Sequence, residues 1–148
     1  MLARFLREQG GQVWQAAGMI AGAGLAAVVP SGQGRPGAHP LAGIVASCVG
    51  VPIVPLSTAP GAAARARGLA DGVAAGWLTV GGAVAGTDVL LVDDTWVSGA
   101  SAQSAAAALK AAGARRVALV VIGRHVDPAD PRSAEFLRIL RSQSASIP

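Results

Sequence analysis

The 148 residues are 52% apolar but only 3% aromatic, so one compact domain has ample core material, of a kind that suits helices packed on a buried sheet better than a β-sandwich. Twelve basic residues face eight acidic ones, but the eleven arginines and Lys110 are scattered with no aromatic interleaving. The patch signature of a nucleic-acid binder is therefore missing, and the charge of +4 fits affinity for a small phosphorylated ligand.

Met1 to Glu8 reads as the end of an amphipathic helix, with Leu2, Phe5 and Leu6 on one face. The chain begins inside this pattern, as though short of residues that longer relatives carry. Gly10 and Gly11 are expected to break the helix, leaving a turn or two of helix in Gln12 to Gly24. Val13 to Pro30 is apolar but too short and Gly-rich for a membrane span, and Glu8 before it argues against a signal peptide. Cys48 is the only cysteine, which excludes an intrachain disulfide and fits a cytoplasmic location. The apolar N-terminal segment hints at a homodimer.

Leu25 to Val29 reads as a buried strand, Ser31 to Pro40 as a loop, and Leu41 to Val49 as a helix. Val51 to Leu56 is a second strand, short or at an edge because of Pro52 and Pro55. Ser57 to Gly76 is a long loop carrying Arg65 and Arg67, and Trp77 to Val80 a short strand. Asp88 to Asp94 is the clearest strand. Thr95 to Ser101 forms a tight loop, and Ala102 to Ala112 a helix closed by Gly113. Val117 to Ile122 is a buried strand, Gly123 to Pro131 a loop, and Ala134 to Arg141 a last helix. Ser142 to Pro148 is a frayed tail. The alternation predicts an α/β domain over 1–148, with a mostly parallel sheet of about five strands flanked by helices.

The informative stretch is Val89-Leu90-Leu91-Val92-Asp93-Asp94-Thr95-Trp96-Val97-Ser98-Gly99-Ala100-Ser101. A buried strand delivers two carboxylates to its C-terminal end, the edge where open parallel sheets bind ligands. Gly99 lets the backbone turn so that successive N–H groups point at one anion. The helix beginning near Ser101 adds its positive end, and Ser98 and Ser101 offer hydroxyls. A carboxylate beside a phosphate repels it unless something between them needs an acceptor. A sugar with two free hydroxyls fits that gap.

In this stretch the chain resembles the type I phosphoribosyltransferases, whose signature is four apolar residues, two acids, a few variable positions and then Ser/Thr-Gly-x-Ser/Thr. Asp93, Asp94, Ser98, Gly99 and Ser101 match it position by position. The likeness looks nearest to the ComF-like and amidophosphoribosyltransferase-like branches. It implies an enzyme that binds 5-phosphoribosyl-1-diphosphate (PRPP) and passes the phosphoribosyl group to a nitrogen nucleophile, releasing pyrophosphate. An alternative is a non-catalytic PRPP-binding or accessory protein of the kind linked to DNA uptake. By the resemblance, Asp93 and Asp94 hold the ribose hydroxyls, and Thr95, Trp96, Val97, Ser98, Gly99, Ala100 and Ser101 hold the 5-phosphate. Ser31, Gly32, Gln33, Gly34 and Arg35 face the pyrophosphate, and Arg65 and Arg67 close over it from a flexible lid. Arg35, Arg65 and Arg67 are the candidate catalytic residues. Arg124 to Asp127 lie near the acceptor. Mg²⁺ arrives with PRPP, without direct protein ligands.

Three departures bear on turnover and acceptor identity: Val97 stands where many purine-type members carry an acid, the lid has Arg but no Lys, and the N-terminus is short. Gly32 to Gly37 matches G-x-G-x-x-G after a strand. However, no acid ends the following strand, and Pro36 removes an N–H from the cradle, which argues against a dinucleotide site. No Gly-Lys-Ser/Thr triplet exists for a P-loop, and no nucleophile elbow supports a hydrolase built on Ser98, His125 and Asp94. His39 and His125 read as solvated loop residues. Trp96 is expected to pack under the phosphate loop, and Trp14 and Trp77 to serve core or interface.

Overall fold

The computed structural model describes residues 2–20, 24–30, 39–58, 76–129 and 133–144. The elements in chain order are α1 (Leu2–Ala16), β1 (Leu25–Val28), α2 (Pro40–Val49), β2 (Leu56–Thr58), β3 (Leu78–Val80), β4 (Asp88–Trp96), α3 (Ala100–Ala111), β5 (Arg116–Arg124) and α4 (Ala134–Ser144).

The main sheet is parallel, in the order β1-β4-β5. Val28 pairs with Val92, and Val92 with Val120, so the three carboxyl ends finish along one edge. Outside β1, residues 52–54 run alongside as a fourth, rudimentary strand. Ala26 N–H donates to Pro52 at 2.9 Å, Val54 N–H donates to Ala26 at 2.7 Å, and Ile53 forms a parallel bridge to Ala26. The strand expected over Val51 to Leu56 is thus cut to this stub by Pro52 and Pro55, which cannot donate to a ladder. The chain re-enters extended backbone at β2, which pairs antiparallel with β3, Ser57 facing Thr79 with their hydroxyls 2.8 Å apart.

Both faces of β4 are buried, as its uninterrupted apolar run requires. Val89 and Leu91 face Ala102, Ala105 and Leu109 of α3. Leu90 and Val92 face the other way, onto Leu6 and Trp14 of α1 and Val45 of α2. Fully burying each large apolar side chain contributes roughly 1.5–3 kcal/mol.

That burial explains a correction. α1 does not break at Gly10 and Gly11 but continues to Ala16. Each glycine costs about 1 kcal/mol in a helix. Leu2, Leu6, Gly10 and Trp14 recur every four residues on one face, and the buried Leu6 and Trp14 more than offset the glycines. Gly24 then admits Trp14 against the sheet, because a Cβ there would lie 2.9 Å from the indole and 2.6 Å from the Asp88 carbonyl. No helix among the described residues is long and apolar enough to cross a membrane.

At the opposite end of β4 from the two adjacent acids, Asp88 is buried and accepts two hydrogen bonds from Arg115, from Nε and Nη2, each 2.7 Å. Lys110, in the last turn of α3, ties down the connection that follows, donating to the carbonyls of Ala114 and Arg115 at 2.9 and 2.7 Å. The last helix runs through Ser144, into the stretch expected to be a frayed tail. Residues 145–148 lie outside the described residues.

Candidate functional site

The route of the chain through the sheet locates the site. From β1 the chain moves outward to the stub at Ile53, then returns to form β4 on the other side of β1. The order reverses between β1 and β4, and the connections leaving their carboxyl ends diverge. Such a switch point opens a crevice in parallel sheets.

β4 is buried from Asp88 through Asp93, and Asp94 and Thr95 are exposed. The strand therefore carries one carboxylate to the switch point while it is still within protein, and the next one into water. Burial first, and then the neighbouring Asp94, push the Asp93 carboxyl above its usual range. Hydrogen bonds from the backbone N–H groups of Asp94 and Thr95 and the charge of His39 pull it part of the way back.

The loop is shorter than expected. Thr95 and Trp96 still belong to β4, and Ala100 and Ser101 already belong to α3, so only Val97, Ser98 and Gly99 lie between. Continued pairing with β5 draws the strand out: Thr95 registers with Gly123, Trp96 with Arg124, and His125 N–H donates to the Trp96 carbonyl at 2.8 Å. Gly99 makes the reversal at φ +81°, a left-handed conformation that suits glycine. The Trp96 indole lies directly against Gly99 where a Cβ would project, and packs on the core cluster beneath. This matches the role expected for Trp96.

The first α3 backbone bond runs from Gln103 N–H to the Gly99 carbonyl at 2.9 Å. The N–H groups of Ser101 and Ala102 precede it, which is the anion-seeking end of a helix. Ser98 Oγ accepts from Ala100 N–H at 3.3 Å, so that hydroxyl braces the turn. Val97 is 66% exposed at the top of the loop.

The structure thus brings Asp93, Asp94, Thr95, Trp96, Val97, Ser98, Gly99, Ala100 and Ser101 together in one strand–turn–helix unit. Arg124 to Asp127 continue from the neighbouring β5. There the Arg124 guanidinium sits 4.3 Å from the centre of the Phe136 ring, and Asp127 Oδ1 accepts from Ala129 N–H at 2.8 Å. Ser31, Gly32, Gln33, Gly34, Arg35, Arg65 and Arg67 lie outside the described residues.

Sequence reasoning missed His39. It is half-buried and caps α2, its Nδ1 accepting from Leu41 N–H at 3.2 Å. The turn into α2 puts it near enough to Asp93 for its charge to be felt. The signal available was its place just before Pro40-Leu41, where a capping side chain followed by proline commonly starts a helix.

No protein-family model matches the chain, and no curated protein matches it. Solved structures do. The phosphoribosylpyrophosphate synthetase of Mycobacterium smegmatis aligns with a TM-score of 0.55 and 21% identity over 90% of this chain, which spans 37% of the synthetase. A hypoxanthine phosphoribosyltransferase of Staphylococcus aureus aligns with a TM-score of 0.53 and 13% identity, over 90% of this chain and 81% of that one. At these identities the likeness is one of fold, and the chain has the helix-flanked parallel-sheet α/β fold seen in those two proteins.

Proposed function

We propose that this chain is a phosphoribosyltransferase that binds PRPP in the crevice between β1 and β4 and passes the phosphoribosyl group to a nitrogen nucleophile. The observation that carries the reading is the pairing of a buried Asp93 with an exposed Asp94, directly before a turn that presents the N-terminus of α3. A carboxylate held in protein beside a like charge is unfavourable. A vicinal diol would satisfy both acids with two O–H donors. The N–H groups of Ser101 and Ala102, with the field of α3, would receive the 5-phosphate. The fold shared with a phosphoribosyltransferase supports the same reading.

In the reaction, the lone pair of the nucleophile forms a bond to the anomeric carbon as the bond to the pyrophosphate oxygen breaks. The electron pair leaves with the pyrophosphate. The chain supplies position through the two aspartates and the phosphate turn. Charge stabilisation of the leaving group would fall to Arg35, Arg65 and Arg67, the arginines that the family resemblance gives to the pyrophosphate. Among the described residues, the charged side-chain oxygens at the carboxyl end of β4 are those of Asp93 and Asp94, which suits a hydrated Mg²⁺ carried on the substrate's own oxygens.

Val97 supports a second reading, a PRPP-binding accessory protein of the ComF-like kind, because no side chain able to take a proton stands at that loop position. One experiment addresses both. Calorimetry with PRPP and Mg²⁺ should give micromolar binding by the parent, lost in Asp93→Asn/Asp94→Asn. Pyrophosphate release over a panel of bases and amines should then identify an acceptor. Tight Mg²⁺-dependent binding without release under any acceptor favours the accessory role, and equal binding by parent and double variant refutes the site.

A further inference from the structure

We propose that the open edge of β5 is a dimer interface, at which a second copy of this chain adds its own β5, antiparallel and centred on Leu119. β5 closes the main sheet, and among the described residues no strand pairs with its outer side. Its run from Val117 to Ile122 is as apolar as the run in β4 beside it, yet the burial differs. Leu91 and Val92 of β4 are fully buried, whereas their neighbours Leu119 and Val120 are not, and Leu119 and Ile122 are 37% and 41% exposed. The helices account for this. α3 packs over Val117 on one face and the α1–α2 layer over Ala118 and Val120 on the other, but both layers bury β4 and reach β5 only in part. Edge strands are ordinarily blunted by a charge, a proline or a bulge. Residues 117–122 hold no charge and no proline, and β5 keeps one register with β4 from Arg116 to Arg124.

The main chain is set for a further strand. Arg115 N–H donates to the Thr87 carbonyl at 2.9 Å, and His125 N–H to the Trp96 carbonyl at 2.8 Å. Successive residues of a strand direct these groups to alternate sides, so the odd-numbered residues of β5 bond β4, and Ala118, Val120 and Ile122 turn their N–H and C=O outward. The side chains select a second copy and a register. About a two-fold axis perpendicular to the sheet, Leu119 faces its own image, with Val117 opposite Val121 and Ala118 opposite Val120. Ala118 and Val120 then exchange both main-chain bonds, as their outward groups require. Arg116 falls opposite Ile122, and Arg124 lies beyond the paired run. Centring on Val120 would set Arg116 against Arg124, and like charges directly opposite are destabilising. Centring on Val121 would set Leu119 against Gly123 and Val117 against His125, leaving less apolar surface matched. The axis also keeps both copies of α3 on one face and both α1–α2 layers on the other, so each exposed apolar flank is closed by its image.

Sedimentation equilibrium of the full chain should give the mass of a dimer across a micromolar dilution series. Val120→Pro removes an outward N–H and none that bonds β4, which an edge strand tolerates. It should weaken the dimer about tenfold or more while the circular dichroism spectrum stays that of the parent. Leu119→Lys should do the same by setting two charges face to face. In a Cys48→Ser background, Leu119→Cys should crosslink to a dimer under mild oxidation, because a non-hydrogen-bonded pair brings its Cα atoms to about 4.5 Å, within disulfide reach. Val121→Cys, which faces Val117, should crosslink far more slowly. A monomeric parent overturns the proposal, whether or not another protein binds the edge. A dimer that survives both Val120→Pro and Leu119→Lys also overturns it, because its interface then lies elsewhere. Should Val120→Pro fail to fold, the cysteine variants decide: crosslinking no faster for Leu119→Cys than for Val121→Cys overturns the proposal.

Discussion

Replacing Gly99 with alanine probes the turn on which the proposed phosphate cradle depends. A side chain at φ +81° costs about 1–2 kcal/mol. The new Cβ would also lie 2.6 Å from Trp96 Cη2 and 2.7 Å from Cε2, well inside van der Waals contact. The indole is wedged between this turn and the core cluster beneath, so relief requires either the turn or the ring to move. Overpacking of that kind costs about 1–3 kcal/mol. The combined loss of about 2–5 kcal/mol is a large share of the roughly 5–15 kcal/mol that stabilises an ordinary domain. In urea, with a slope of about 2 kcal/mol per molar, the unfolding midpoint should drop by about 1–2.5 M. Trp96→Ala combined with Gly99→Ala should recover the overpacking part, giving a non-additive pair. A Gly99→Ala midpoint within experimental error of the parent, or strict additivity, refutes the packing of Trp96 against a left-handed Gly99.

Asp93→Asn should abolish PRPP binding without weakening the fold. Burial holds the Asp93 carboxyl above its usual range, so its contribution to stability is fullest below the unfolded-state pKa and declines as pH rises through the folded one. The variant lacks that decline, and its urea midpoint should fall less than the parent's between about pH 3.5 and 7. Asp88 behaves oppositely. The hydrogen bonds and charge of Arg115 hold its carboxyl below the usual range, so their stabilisation is present above the unfolded value and lost as pH falls through the folded one. Arg115→Ala should therefore destabilise the protein more at pH 7 than at pH 3, read by the same urea titrations. Leu90→Ala empties a fully buried position between β4 and the α1–α2 layer, and should cost about 2–5 kcal/mol with little change in slope.

The strand that ends in Asp93 and Asp94 was legible because a run of apolar residues buried on both faces imposes its own pattern, and the two acids end it visibly. Gly99 was legible for the same local reason. The continuation of α1 through Gly10 and Gly11 was not, since it depends on Leu6 and Trp14 meeting α2 and the sheet. The shrinkage of the second strand to Ile53 follows from which donors β1 needs, a matter of pairing that the prolines hinted at without deciding. The extension of β4 to Trp96 and of β5 to Arg124 is likewise mutual, each strand prolonging the other. The cap that His39 provides, its Nδ1 accepting from Leu41 N–H, was hard to read because histidine is not among the usual N-cap residues.

The two ends of β4 answer to different demands. At its start Asp88 is neutralised by Arg115, on the connection into β5, and at its finish Asp93 is held beside Asp94 with main-chain amides for company. A single extended segment thus holds a neutralised acid at one end and an unfavourably buried one at the other, with Val89 to Val92 between them.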